Sequence, residues 1–596
     1  MRLLPKRFAP PLLATLAGAL VVLPAILFGM PNNNDLANHY HFAIPFYEAL
    51  RHGHPYPSFF ALPNHGYGDV VVRFYPPALY YLLAAGKFIT GNWYAGSLLT
   101  VTVVSALGSL GAYFWARCYV PRNIAIGAGL FYALMPYHLA EFYQAAQLAE
   151  FAAGAALLFS LAFAKRLCDD NRWRDAAGLS AAYATLVLTH LPLAVFGSLT
   201  LLLYALMSLP RKAVYLPLPL GEGRGEGLSG VNLSPPTPLP DGRGEKFKIL
   251  IKLTAAVGVG LGASSFYWVT MISEMKWIVA DGPKPDPLLD YSHNFVFSTF
   301  SPLKQETIWW MGLLAIATAL MCLPATFAVI KRGAKHRGSL SKLSVVLLFA
   351  FLMSTVVSKP LWIIVPYLKM TQHPFRWLAV VSAAAPVLMS AAIPFWQVRL
   401  QNHLRPLALA MCGCVLIAMA FSLTQTVRGA TYLSKSHFDQ IVEPLNESPG
   451  IIQWLPVWAI AAAKDQPSYE KCIPPALNDK VVAGNRTVRI GDWNDTKRTF
   501  AVAAGAAAEA RVATFYYPHW QATVNGERAQ TSAATDGALL ISLPPQSTNV
   551  SLEFREPPRT KIADGISIIS WTLIASLLIF GKLANRAPSD YEPHAN

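Results

Sequence analysis

Charge is scarce in this chain. Asp, Glu, Lys and Arg make up 14% of its 596 residues, where a soluble protein carries about a quarter. The apolar residues come instead in long uninterrupted runs, and mean hydropathy is +0.37, which excludes an ordinary soluble globular domain. Cysteine is scarce too, with six in all. Cys118, Cys168, Cys322, Cys412 and Cys414 fall in or beside apolar runs, and Cys472 alone lies in a polar segment. That segment therefore has no disulfide framework, and no Cys/His spacing marks a structural zinc site. Basic patches with interleaved aromatics are also missing. The net charge of +15 sits in short loops between apolar runs, so it points to a membrane rather than to nucleic acid. Finally, no small-residue cleavage site follows the first apolar run. Arg2, Lys6 and Arg7 precede Phe8–Met30, and Pro31-Asn32-Asn33-Asn34 comes after it. This predicts an uncleaved first span.

What is present is a polytopic α-helical membrane protein with about twelve transmembrane helices. Spans are expected near Ala9–Met30, Ala95–Ala116, Ile124–Pro136, Leu148–Ala164, Ala176–Thr189, Leu193–Leu209, Ile249–Trp268, Trp309–Ile330, Leu343–Val357, Trp377–Phe395, Leu407–Leu423 and Ile566–Phe580. Arg117 and Arg122, Lys165 to Arg174, Arg211 and Lys212, Lys331 to Arg337, and Arg399 and Arg405 fall in alternate loops. Both termini are then expected in the cytoplasm and the intervening loops outside. The transmembrane domain covers 1–425. It includes a first outer loop, 31–94, whose apolar stretch Tyr75–Ile89 is too short to span and reads as an interfacial or re-entrant helix. It also includes a Gly/Pro-rich cytoplasmic insert, 213–247, with two Gly-Arg-Gly-Glu copies, read as a disordered linker.

Between 426 and 560 polar residues rise. Period-two runs appear near Thr487–Ile490, Thr499–Ala503, Ala513–Tyr517, Gln521–Val524, Leu539–Leu543 and Val550–Phe554, and Asn525-Gly526 marks a tight hairpin. A small extracytoplasmic β-sandwich is expected there. Trp454, Trp458, Trp493 and Trp520 are available to stack on sugar rings or to pack its core. Residues 561–596 supply the last span and a cytoplasmic tail.

Asp, Glu and His collect at the outer ends of the spans, where polar groups are costly to keep and tend to be functional. Asp35 follows the first span directly, with His39 one helical turn on. A carboxylate there can act as general base on a hydroxyl or cap the following helix. Arg376, in Gln372-His373-Pro374-Phe375-Arg376-Trp377, and Arg73, just before Tyr75, are outer cations suited to gripping phosphate. Each also reads as a snorkelling interfacial arginine. His138, Glu141, Glu150 and His190 line further outer helix ends. His138 with Glu141 supplies only two ligands, and two ligands do not make a metal site, so neither metal nor cofactor is expected.

At these residues the chain resembles the GT-C glycosyltransferases: an acid in the first outer loop, a long loop with interfacial helices ending in a Tyr-Pro-Pro segment, and eleven or more spans. Asp35-Leu-Ala-Asn-His39, Met135-Pro-Tyr-His138, Ala149-Glu150, Leu188-Thr-His190 and Gln372-His-Pro-Phe-Arg376-Trp are similar to the bacterial membrane proteins called 6-pyruvoyl-tetrahydropterin synthase-related. Phe515-Tyr-Tyr-Pro-His-Trp520 followed by Val524-Asn-Gly526 resembles their paired strands, with His519 in place of a glycine. The label carries no pterin chemistry, since the zinc-binding histidines of a pterin synthase are not seen. The resemblance implies a GT-C fold that transfers sugar from a polyprenyl-phosphate donor in the membrane lipid to a glycan, lipid or protein acceptor. It implies Asp35 as base and a bacterial inner-membrane location. Two other classes compete: a lipid or glycan transporter, which would show two-half symmetry and mid-membrane ion pairs, and an envelope scaffold whose β-domain binds a partner.

Overall fold

The computed structural model describes residues 8–209, 242–278, 289–298, 305–331, 334–446, 454–460 and 479–584. The protein is mostly helical, with β-sheets near the C-terminus. Among the described residues seven helices are long and apolar enough to cross a membrane: Trp93–Ala116, Leu148–Asp170, Leu191–Ser208, Trp310–Lys331, Pro374–Arg399, Arg405–Arg428 and Pro558–Gly581. The pair Lys246–Ala263 and Ser265–Trp277, bent by 71°, makes an eighth if taken as one span. The other expected runs are helical but shorter or broken: Ala9–Leu20 then Leu23–Phe28, Arg122–Ala133, Trp173–Thr189, and an apolar Leu340–Met353. The apolar stretch Tyr75–Ile89 of the first loop folds as the helix Ala78–Thr90. Residues 213–241 of the insert lie outside the described residues, as does Cys472. The helix Gly242–Ala263 takes in the second Gly-Arg-Gly-Glu copy, so the chain is helical from Gly242, before the expected end of the insert at 247.

Burial orders the bundle. Pro374–Arg399 is 89% buried and Leu148–Asp170 83%, which makes them central, whereas Arg405–Arg428 and Pro558–Gly581 are 22% buried and face outward. Small residues let neighbours approach, as in membrane packing generally. A Cβ on Gly86 would lie 2.4 Å from the carbonyl oxygen of Gly96, so the short helix Ala78–Thr90 lies directly against Trp93–Ala116.

Eleven strands are present among the described residues. Strand β1 (Met30–Asn32) pairs antiparallel with β2 (Thr431–Leu433), joining the end of the first apolar run to the start of the C-terminal region. Gly29, at φ +121°, enters this ladder, and any Cβ on it would sit 2.2 Å from the carbonyl oxygen of Leu433. Beyond it come β3 (Val481–Val482), β4 (Val488–Trp493), β5 (Lys497–Val502), β6 (Ala508–Phe515), β7 (Trp520–Val524), β8 (Glu527–Ala529), β9 (Thr531–Ala533), β10 (Ala538–Leu543) and β11 (Thr548–Phe554). They form a four-stranded sheet, β3-β6-β10-β9, and a five-stranded sheet, β4-β5-β11-β7-β8. Val512, Leu539 and Ile541 of the first share one core with Phe500, Trp520 and Leu552 of the second. Asn525 and Gly526 both have positive φ between β7 and β8, as a two-residue hairpin turn requires.

The first loop is bolted to this β-region. Phe59 packs on Trp520 and Phe554 at ring distances of 5.3 and 5.7 Å. Arg498, fully buried, stacks 4.5 Å from the Trp520 ring and 5.5 Å from Phe59.

Candidate functional site

The residues expected to form a site lie at the ends of separate helices, and most of them meet at one end of the bundle. Asp35 stands in the first turn of the helix Asn34–Arg51, not at its cap. The β1–β2 ladder fixes the chain just before it. The Asn33 side chain also donates to the carbonyl of Gln144, tying the same point to the end of the helix Pro136–Tyr143. His39, one turn on, is buried, and neither ring nitrogen has a hydrogen-bond partner. Burial pushes it down to about 4, against the upward pull of Asp35, so its ring is neutral near pH 7. The Tyr75 ring stands edge-on to His39 at 6.4 Å, and its hydroxyl is within electrostatic reach of Asp35, Arg376 and Glu150.

Arg376 enters from the other side, in the 3-10 turn Pro374–Arg376 that opens the central helix Trp377–Arg399. Its Nε lies 2.9 Å from a Glu150 carboxylate oxygen, and Asp35 and Tyr75 also act on it electrostatically. The second Glu150 oxygen accepts from the Tyr137 hydroxyl at 3.0 Å. His190 sits between two helices and feels both Arg376 and His39. Its Nδ1 accepts from the Leu193 amide at 3.3 Å, capping Leu191–Ser208, which leaves the neutral ring's proton on Nε2. His373 is buried in the turn that presents Arg376, stacked on Phe375 at 5.1 Å.

Behind Glu150 lie His138 and Glu141, 3.5 Å apart. The His138 ring is sandwiched between Tyr132 at 4.3 Å and Phe151 at 4.4 Å. Burial pushes His138 down to about 3. Burial, then Glu150, pushes Glu141 well up. Burial thus disfavours the charged form of each partner. Among the described residues no three of His, Cys, Asp and Glu gather closely enough to hold a metal ion.

Arg73 is the correction. It was expected beside Arg376 as a phosphate ligand, but its guanidinium is engaged elsewhere. Nε and one terminal nitrogen contact Glu274 at 2.6 and 2.9 Å. Both terminal nitrogens contact Glu556, at 2.5 and 2.9 Å, and one reaches the Ser58 carbonyl at 3.4 Å. All five donors of the fork are used, so none is left for a phosphate. Glu274 also takes Tyr517, His519 and Arg559 at 2.7, 2.8 and 3.1 Å. This knot ties the first loop, the bent helix pair and the β-region together. His519, which stands where the resembling family has glycine, belongs to it.

Sequence reasoning missed Tyr137 and Glu274. The signal for Glu274 was available: a carboxylate inside an apolar helical run needs a partner. Tyr137 differs from the neighbouring aromatics only in where its hydroxyl ends up.

A helical membrane bundle that gathers a half-exposed acid, an arginine and neutral histidines at one end defines the class of the protein. Within it, residues 72–218 match the family described as "6-pyruvoyl-tetrahydropterin synthase related domain; membrane protein", the resemblance the motifs carried. No curated protein matches the chain. Among solved structures it is similar to the arabinofuranosyltransferase AftD from Mycobacteria, at 15% identity and TM-score 0.41, over 72% of this chain and 28% of that one. It is also similar to the apo oligosaccharyltransferase of Archaeoglobus fulgidus (14%, TM-score 0.36, 77% and 59%) and to ArnT of Cupriavidus metallidurans bound to undecaprenyl phosphate (13%, TM-score 0.35, 70% and 76%). The chain thus spans little more than a quarter of the arabinofuranosyltransferase.

Proposed function

We propose that this chain is a membrane glycosyltransferase that moves a sugar from a polyprenyl-phosphate donor to an acceptor hydroxyl at the outer face of the bacterial inner membrane. One observation carries the reading. Asp35, from the first loop, lies within electrostatic reach of Arg376, from a turn far along the chain, and Glu150, Tyr75, His39 and His190 gather around them.

Asp35 takes the proton from the acceptor hydroxyl as its oxygen bonds to the anomeric carbon. The bond from that carbon to the phosphate oxygen breaks, and the phosphate leaves with the electron pair. Arg376 stabilises the negative charge on the departing phosphate, and no acid is needed to protonate it. Glu150 holds the guanidinium in place. Direct displacement with one base inverts the anomeric configuration. In this arrangement the long apolar helices cross the membrane, both termini lie in the cytoplasm, and the β-domain caps the site from outside, where it meets the acceptor.

The test is turnover by the purified protein of a panel of polyprenyl-phosphate sugars. Wild type is expected to consume at least one donor. Asp35→Asn is expected to lose about 10²–10⁴-fold in rate and Arg376→Gln about 10²–10³-fold, with both variants still inserted. Full turnover by Asp35→Asn would remove the base assignment. An inert wild type across the panel would remove the activity.

A further inference from the structure

We propose that the segment Val356–Met370 lies in the headgroup layer of the membrane and binds its anionic phospholipids through Lys359 and Lys369. The segment links the helix Ala334–Met353 to the turn carrying Arg376. It is built from a 3-10 turn, Val356–Ser358, a short helix, Lys359–Ile364, and a second 3-10 turn, Leu368–Thr371. Three buried residues, Ser358, Trp362 and Leu368, anchor it. The Trp362 indole donates to the Met353 carbonyl at 3.3 Å, and its ring stacks on Tyr291 at 5.7 Å.

The rest faces outward. Val357, Ile364 and Tyr367 are 70, 73 and 76% exposed, and Ile363 and Met370 are exposed with them. Such a patch is too apolar to face water. It also continues the outward stripe of the preceding helix, where Leu348 and Leu352 are exposed.

Its charge is of one sign. Between Thr355 and Arg376 there is no Asp or Glu, and the two lysines are exposed. Among the described residues the groups near them belong to the neighbouring turn: Lys359 acts on Asp290, whose carboxylate accepts from the Ser292 amide at 2.8 Å, and the Lys369 ammonium stands 5.9 Å from the Tyr291 ring. Apolar residues facing the acyl boundary with lysines reaching to phosphates is the arrangement of an interfacial anchor.

This goes beyond sugar transfer and is read without it. The full chain is reconstituted in nanodiscs of phosphatidylcholine with and without phosphatidylglycerol, with a photo-crosslinking amino acid replacing Tyr367 or, as a control, Leu348. Lipid adducts are expected at both positions. Native mass spectrometry of Lys359→Gln/Lys369→Gln is expected to show phosphatidylglycerol affinity down about ten- to thirty-fold and phosphatidylcholine unchanged. Adducts at position 348 but none at 367 would overturn the proposal. So would unchanged phosphatidylglycerol binding, or a loss confined to undecaprenyl phosphate.

Discussion

At the scale of single residues the cluster depends on groups kept uncharged beside groups kept charged. His39 has a folded value near 4 against 6.5 in the open chain, so the native state prefers the neutral ring. Its contribution is therefore fully present above pH 6.5 and is lost as pH falls toward 4, about 3 kcal/mol across that window. Thermal melts of the detergent-purified protein are expected to fall through this range, and His39→Asn is expected to flatten the fall. Gly29 fails differently. With φ at +121° and the Leu433 carbonyl in the way, Gly29→Ala is expected to open the β1–β2 ladder, seen as faster amide exchange at Thr431–Leu433, and to lower turnover by loosening Asp35. Most of the cluster was legible as residue type and position: an acid just past an apolar run, or a histidine in a Pro-flanked helix end, stands out against 14% charge. The role of Arg73 was not. Its partners Glu274 and Glu556 lie 201 and 483 residues away in sequence, and nothing local to Val71–Tyr75 reveals that its donors are spoken for.

Elements were read well where burial is uniform and less well where it is not. Apolar length located the long helices, because a span needs every residue to tolerate lipid. The broken ones, such as Ala9–Leu20 with Leu23–Phe28, look continuous in sequence because the break falls inside an apolar run. Alternation found β5, β7, β10 and β11, whose inner faces are buried, but not β8 or β9, which are three residues each with none buried. β1 and β2 carry no period and exist only through each other. The element-scale prediction concerns the Arg73 knot. Burial pushes the Glu556 carboxyl up, and the Arg73 guanidinium more than offsets this, leaving it below the usual carboxylate range. Its contribution is thus present above about pH 4.5 and lost below it. Arg73→Met strips the buried Glu274 and the partly buried Glu556 of the cation they share and is expected to cost about 3–5 kcal/mol. Hydrogen exchange should report this as β7 and β11 loosening before the helices do.

For the whole molecule, the proposed orientation makes a direct demand. A single cysteine placed at Ala506, in the exposed Gly505–Ala507 turn of the β-region, in a cysteine-free background, is expected to react with an impermeant maleimide in intact cells. One placed in the 213–247 insert is expected to react only after the membrane is opened. The reverse pattern would put Asp35 in the cytosol and end the proposed mechanism.

The β1–β2 ladder has one more consequence, for biosynthesis. Met30 pairs with Leu433, so the strand that holds the chain just before Asp35 is completed only when a segment about 400 residues further on has been made. Every truncated product that stops before Thr431 therefore carries Asp35 without the strand that aims it. A nascent chain cannot become competent early, and a degraded one loses competence as soon as that single pairing is cut.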